Sequence, residues 1–294
     1  LWILGPCGEA VERQLDSYDL VLTAAELDLP RLRRNTRAPV ALLREGIDSR
    51  LLAPAGAADG IALEDRAGLV YAADGSGERR PVARWLVESG QIARILGSGW
   101  ACCGLEHAVE DERPETSLLL KRLSECRFGL VDHTRAQRSA GYVDPMLFAF
   151  MAHGVPVITE DLPVTRRLAG DAALYATGAE GFQACLRHGA EHYGEQVEAT
   201  RARWHEIAQE YSVARRAQQL LEWIERPPAA ESVGLKDAAA EADALHDVAA
   251  VAGARLDADA AAFAERRLAE TERALAEARA RITGADQGRR HWIE

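Results

Sequence analysis

The stretch YVDPMLFAFMAHGVPVITED, residues 142–161, carries most of the information about how this chain folds. Pro145 suits the first turn of a helix, where its missing N–H has no partner to lose. The run MLFAFMA (146–152) favours helix by residue type and is apolar on every side, which predicts a helix buried all round. Gly154 is placed to take the left-handed position that ends such a helix, and Pro156 blocks a restart. VPVIT (155–159) then reads as a fully buried strand of the parallel-sheet kind. A helix feeding a central strand is the core unit of an α/β domain.

Working outward, apolar β-rich runs recur with helical segments between them. Strands are predicted at 1–4, 19–23, 39–43, 68–72, 93–96, 128–132, 155–159 and 172–176. Helices are predicted at about 26–35, 81–89, 116–125, 145–153, 163–169, 179–189, 191–210 and 212–225. Strands alternating with helices of this length predict an α/β fold, a Rossmann-like, doubly wound parallel sheet. Beyond Pro227-Pro228 the composition shifts to Ala, Glu and Arg. Leu268, Leu275 and Ile282 lie seven apart there, so 258–282 reads either as a helical seam for self-association or as a solvated helix.

Composition narrows the function classes. A net charge of −11 over 294 residues argues against nucleic acid or an anionic membrane as the main partner, because phosphates would be repelled. Paired arginines can still hold one small phosphate ligand. Cys7, Cys102, Cys103, Cys126 and Cys185 show neither zinc-ligand spacing nor a disulfide framework, and a reducing cytoplasm fits. No apolar run is long enough for a membrane span, and no signal peptide is visible. The chain opens on LWIL without an initiator Met, as a fragment or processed form would.

Three segments carry possible chemistry. GLVYAADGSGERRPVARWL (68–86) runs from a strand through Gly75 and Gly77 into a helix at Pro81. Glycines let a phosphate approach the backbone at a helix start, and Arg79 and Arg80 can add bidentate charge-assisted bonds. Surface arginines beside an ordinary turn have the same pattern. ARILGSGW (93–100) ends a strand in Gly97-Ser98-Gly99, which reads as a crevice-lining loop or as a tight turn that places Trp100 in the core. VDHTRAQRSAGYVDP (131–145) puts Asp132, His133 and Arg138 after a buried strand, on the same rim. A His with a carboxylate and an Arg positions a phosphate or does acid–base work, or is simply a hydrogen-bonded structural group.

In this order, LWIL, YDLVLTAAE, PVALLREGIDSRLLAP with Asp48 and Pro54, ERRPVARWL, GSGW, VDHTRAQRSAGYVD, AHGVPVITED and YSVARRAQQLLEWI resemble the GT-B glycosyltransferases. The likeness is to the bacterial group related to the CgeB spore-maturation proteins and runs from Leu1 to about Arg226. It implies transfer of a sugar from a nucleoside diphosphate to an acceptor that the sequence does not name, with no metal or other cofactor. It also implies a division into 1–48, the end of an acceptor-side domain, 49–226, a Rossmann-like nucleotide-sugar domain, and 227–294, a helical extension. Carried over by position, Arg79, Arg80 and Arg138 become donor-diphosphate residues. Gly75, Gly77, Gly97, Gly99, Asp132, His133, Gly141 and Tyr142 would line the cleft. The family's asparagine-arginine-x-phenylalanine-acid pattern falls here on Pro145, Met146, Leu147, Phe148 and Ala149. The Arg position is thus Met146, and the acidic position, which typically binds the donor ribose, is Ala149. Gly5-Pro6-Cys7 stands where His-Pro is common. A degenerate, non-catalytic binding or scaffold domain is the alternative those departures raise.

Overall fold

The computed structural model describes residues 1–4, 8–47, 61–75, 77–78 and 80–227. Arg79, Asp48, Pro54, the Gly5-Pro6-Cys7 run and the 258–282 seam lie outside the described residues.

Two parallel sheets organise the chain. The first is small: β1 (Trp2–Ile3), β2 (Val21–Thr23) and β3 (Val40–Leu42) lie in sequence order, with α1 (Glu9–Glu12) and α2 (Leu29–Asn35) as the connections. The second has six strands. These are β4 (Leu69–Ala72), β5 (Ala93–Leu96), β6 (Val109–Asp111), β7 (Phe128–Val131), β8 (Val157–Glu160) and β9 (Ala173–Ala176). They lie in the order β6-β5-β4-β7-β8-β9, every pair parallel. This is the doubly wound order, in which the connections reverse direction between the two middle strands and open a crevice at the strands' carboxyl ends.

Alternation along β4 shows how the sheet is covered. Leu69 and Tyr71 face one core, which holds α3 (Pro81–Glu88) and Phe182 of α8 (Gly178–Glu191). Val70 and Ala72 face the other, filled by α6 (Met146–Ala152) with Leu123 of α4 (Thr116–Glu125) and Leu168 of α7 (Pro163–Ala169). The remaining helices are α5 (Arg135–Ala140), α9 (Tyr193–Ile207) and α10 (Val213–Glu225).

The opening stretch behaves as its residues dictate. Leu147 to Met151 are all buried, so α6 is enclosed on every side. Gly154 sits at φ 61° and donates to the Met151 carbonyl, while Val155 donates to that of Phe150, a Schellman ending. The Phe150 ring lies over Gly129 of β7, where a Cβ would stand 2.5 Å from it. Glycine inside this strand is therefore the footprint of a helix ring.

Three elements depart from expectation. β6 was not expected, because Val109–Asp111 is a short, partly exposed edge strand with no apolar run to announce it. α1 is a single turn without a buried residue. α5 is a polar helix in a segment that reads as a loop, and its signal was the Thr134-x-x-Gln137 capping box.

Candidate functional site

The loops after β4, β5, β7 and β8 meet at one rim, and their polar residues form two buried clusters. The first sits at the switch point between β4 and β7. Arg80, only 3% exposed, places its Nε 2.6 Å from Asp132 Oδ1. Its terminal nitrogens donate to the carbonyls of Asp74 and Asp132 at 2.7 and 2.6 Å. The Tyr71 hydroxyl and, at 3.0 Å, the Val82 N–H complete the shell around the Asp132 carboxylate. Burial pushes that carboxyl up to about 6, against the pull of the Arg80 guanidinium. Tyr71, under the same burial and beside Asp132, is pushed well above the usual phenol range. Arg80 thus joins β7 to the loop after β4 and stacks near the Tyr71 and Trp100 rings, 5.8 and 5.9 Å from their centroids.

The second cluster surrounds Glu160, the last residue of β8. One carboxylate oxygen accepts from the His133 backbone N–H at 3.0 Å and meets His133 Nδ1 at 2.9 Å. The other accepts from Arg138 at 3.0 Å, and the same guanidinium nitrogen donates to the His133 carbonyl at 2.6 Å. His133 Nε2 accepts from the Asp144 N–H at 3.2 Å, so the ring proton is assigned to Nδ1, facing Glu160. Both ring nitrogens are occupied and the side chain is wholly buried, which makes His133 a structural brace between β7, β8 and the start of α6. Arg138 is different. Its side chain keeps 23% of its surface and leads out of the cluster towards solvent.

The glycine loops pack on each other. The Gly75 N–H donates to the Ser98 carbonyl at 2.8 Å, and Asp74 Oδ1 accepts from the Ser98 N–H at 2.8 Å. A Cβ on Gly75 would stand 2.3 Å from the Gly99 carbonyl oxygen, and one on Gly97 2.1 Å from that of Ala73. Trp100 is buried and donates its indole N–H to the Ala73 carbonyl at 3.1 Å. The tight-turn alternative for GSGW is what this geometry displays. Gly77 lies apart at φ 69° with open space around it.

Gly141 and Tyr142 stand where the two sheets meet. Gly141 ends α5 at φ 64° against Leu27, and the Tyr142 hydroxyl donates to Glu45 at 2.8 Å across the junction. Burial raises the Glu45 carboxyl, the Tyr142 hydrogen bond opposes this, and nearby Asp144 adds to the rise. Beside them Glu26 accepts from Arg167 at 2.7 Å and pairs with Arg44.

The geometry brings Arg80, Arg138, Asp132 and His133 onto one rim but directs Arg80, Asp132 and His133 inward. Glu160 and Asp74 organise that rim and were missed by sequence reasoning. A charged residue closing a strand run such as VITED was the available signal for Glu160. Ala149, at the family's ribose position, is fully buried in the core, and Met146 is packed against it. Among the described residues no group of three His, Cys, Asp or Glu could hold a metal, and no helix is long and apolar enough to cross a membrane.

Residues 79–222 match the family model described as glycosyl transferase-like. The chain resembles sucrose-phosphate synthase from Thermosynechococcus elongatus at 15% identity and TM-score 0.53, with 74% of this chain covering 60% of that one. The chain has the GT-B fold. Anabaena HepE, solved in complex with UDP and glucose, superposes at 11% identity and TM-score 0.56, with 76% of this chain covering 70% of that one. Trehalose-6-phosphate synthase OtsA superposes at 12% identity and TM-score 0.54, covering 77% of this chain and 66% of its own. The chain therefore spans about three-fifths of the length of the sucrose-phosphate synthase. No curated protein matches it by sequence. The six-stranded sheet is the Rossmann-like half of the GT-B arrangement, and the three-stranded sheet faces it across the Tyr142–Glu45 contact.

Proposed function

We propose that this chain carries the donor-binding half of a glycosyltransferase, which moves a sugar from a nucleoside diphosphate to an acceptor. The observation that carries the reading is the convergence of the β4, β7 and β8 loops on a switch-point rim, from which Arg138 alone of the described donor candidates emerges part-exposed. The glycosyl transferase-like match over 79–222 supports it, as does the UDP bound by HepE. In this proposal Arg138 pairs with the leaving diphosphate electrostatically, the role a metal ion fills elsewhere, and Glu160 holds its guanidinium in place. Arg80 acts one layer below, fixing the loop that precedes α3. Glu45 reaches the same junction from the acceptor side and meets Tyr142 of the donor side there.

Saturation-transfer NMR on the full chain with UDP-, GDP- and dTDP-glucose tests the reading. At least one nucleotide should show contact at millimolar concentration, and Arg138→Gln should weaken it ~10–100-fold, the effect of losing one charge-assisted contact. Silence from all three nucleotides overturns the proposal. It would favour the second reading, a non-catalytic GT-B-like domain. The specific observation on that side is Ala149, sealed in the core where a ribose-binding carboxylate would have to face the cleft.

A further inference from the structure

Cys102 and Cys103 form a half-buried pair that neither the fold nor the proposed donor site employs. They occupy one 3-10 turn, Ala101–Cys103, directly after the β5 loop, and Gly104 closes the turn at φ 69°. Neighbouring side chains ordinarily diverge, yet both thiols here turn to one acceptor. Each Sγ lies 3.3 Å from the Glu78 carbonyl oxygen, and the two sulfurs are 3.6 Å apart. The same Glu78 accepts the Arg135 backbone N–H on its carboxylate at 3.2 Å, so the thiols adjoin the segment that joins the β4 loop to α5.

We propose that Cys102 and Cys103 are a dithiol modification site that a small-molecule disulfide converts to a vicinal disulfide. Sulfurs bonded to each other lie about 2.05 Å apart, so closing the eight-membered ring brings the two sulfurs about 1.5 Å nearer, with the local turn adjusting because adjacent Cα atoms stand only about 3.8 Å apart. Burial pushes the Cys103 thiol up to about 11, so the first attack falls to Cys102. Its thiolate, after losing a proton to solvent, attacks one sulfur of the small disulfide and expels the other half as a thiolate that takes up a proton. Cys103 then gives its proton to solvent and attacks Cys102 Sγ, and the second small thiol leaves. The protein loses two hydrogens while the small disulfide becomes two thiols. Ring closure removes both S–H donors from the Glu78 carbonyl. Cys126 is no competitor: it is buried, its thiol donates within its own turn to Leu123, and burial raises it to about 12. The site stands whether or not the chain transfers sugar.

The test exposes the reduced full chain to glutathione disulfide at neutral pH, quenches with acid, alkylates under denaturing conditions and digests with trypsin. The peptide Ile95–Lys121 should appear two hydrogens lighter than its reduced form and unalkylated, and it should gain two alkyl groups after dithiothreitol. In Cys103→Ser the reaction should stop with glutathione held on Cys102, because no second sulfur can displace it. Two alkylated sulfurs in the wild-type peptide, or glutathione retained on either one, overturn the proposal. No adduct in Cys103→Ser overturns the order of attack. Circular dichroism matching the parent chain confirms that the variant is folded.

Discussion

Arg80 and Asp132 were legible as site residues but not as partners. An Arg beside a glycine loop and an acid after a strand both look ligand-facing when a sequence separation of 52 hides the fold that joins them. Once paired in the interior, each is worth most through the other, since a buried charge left alone carries its full desolvation cost. Arg80→Met should therefore destabilise the fold by ~3–5 kcal/mol at pH 8. Its pH dependence has a definite sign. The native parent takes up a proton at Asp132 near pH 6, and without the guanidinium that carboxyl protonates at still higher pH. The variant thus regains stability as pH falls towards 6, and the gap between the two proteins narrows and then levels. Urea unfolding of both proteins at pH 8 and pH 6 measures this, and a gap that is the same at both would refute the pairing. Ala149 belongs to the same scale. The resemblance implies a carboxylate there, but the position is fully buried beside Phe148 and Phe150. Ala149→Glu should cost more than ~3 kcal/mol in the same assay without improving donor contact. A stable variant with tighter donor binding would mean that this position opens to the cleft.

At the scale of elements, most of the fold was legible because buried parallel strands and amphipathic helices advertise themselves in hydrophobic pattern. All eight expected strands and all eight expected helices are present, with ends shifted by a few residues and the first helix beginning as a 3-10 turn. What escaped were elements with little to bury. β6 is an edge strand whose Val109 packs against the core only in part, and α5 buries Ala140 alone, relying on its cap and two inward arginine bonds. The loops were legible as glycine-rich, but glycine alone does not say whether it makes room for a phosphate or for another backbone. Here Gly75 and Gly97 make room for backbone, which gives a contrast that can be measured. Gly97→Ala adds a Cβ 2.1 Å from the Ala73 carbonyl oxygen at φ 129° and should cost more than ~3 kcal/mol or prevent folding. Gly77→Ala, at φ 69° in open space, should cost only ~1 kcal/mol. Thermal melts of the two variants rank them, and equal losses would show that the loops do not interlock.

For the whole molecule, the packing of α10 on the small sheet decides whether the sheets behave as one body. After β9 the polypeptide returns through α9 and α10 to the small sheet, where Leu220 and Trp223 pack against Leu22, Ala41 and Leu43. The crossing is close. The Ile47 N–H donates to the Tyr211 carbonyl at 2.7 Å, and a Cβ on Gly46 would meet the Val213 backbone at 2.9 Å. The six-stranded sheet thus reaches the three-stranded one through its last helix as well as through Tyr142 and Glu45. A helix shared in this way should couple their unfolding, because losing its inner face removes apolar burial from one sheet and a covalently attached strut from the other. Trp223→Ala should cost ~3 kcal/mol, whereas Leu221→Ala, on the outer face and 61% exposed, should stay within ~0.5 kcal/mol. Hydrogen exchange supplies the decisive readout, since coupling requires that amides in both sheets feel the first substitution. Leu22 in β2 and Ile158 in β8 should lose protection by similar factors in Trp223→Ala. Loss at Leu22 with Ile158 unchanged would show two independently stable halves, and α10 would then be a lid on the small sheet rather than the tie between them.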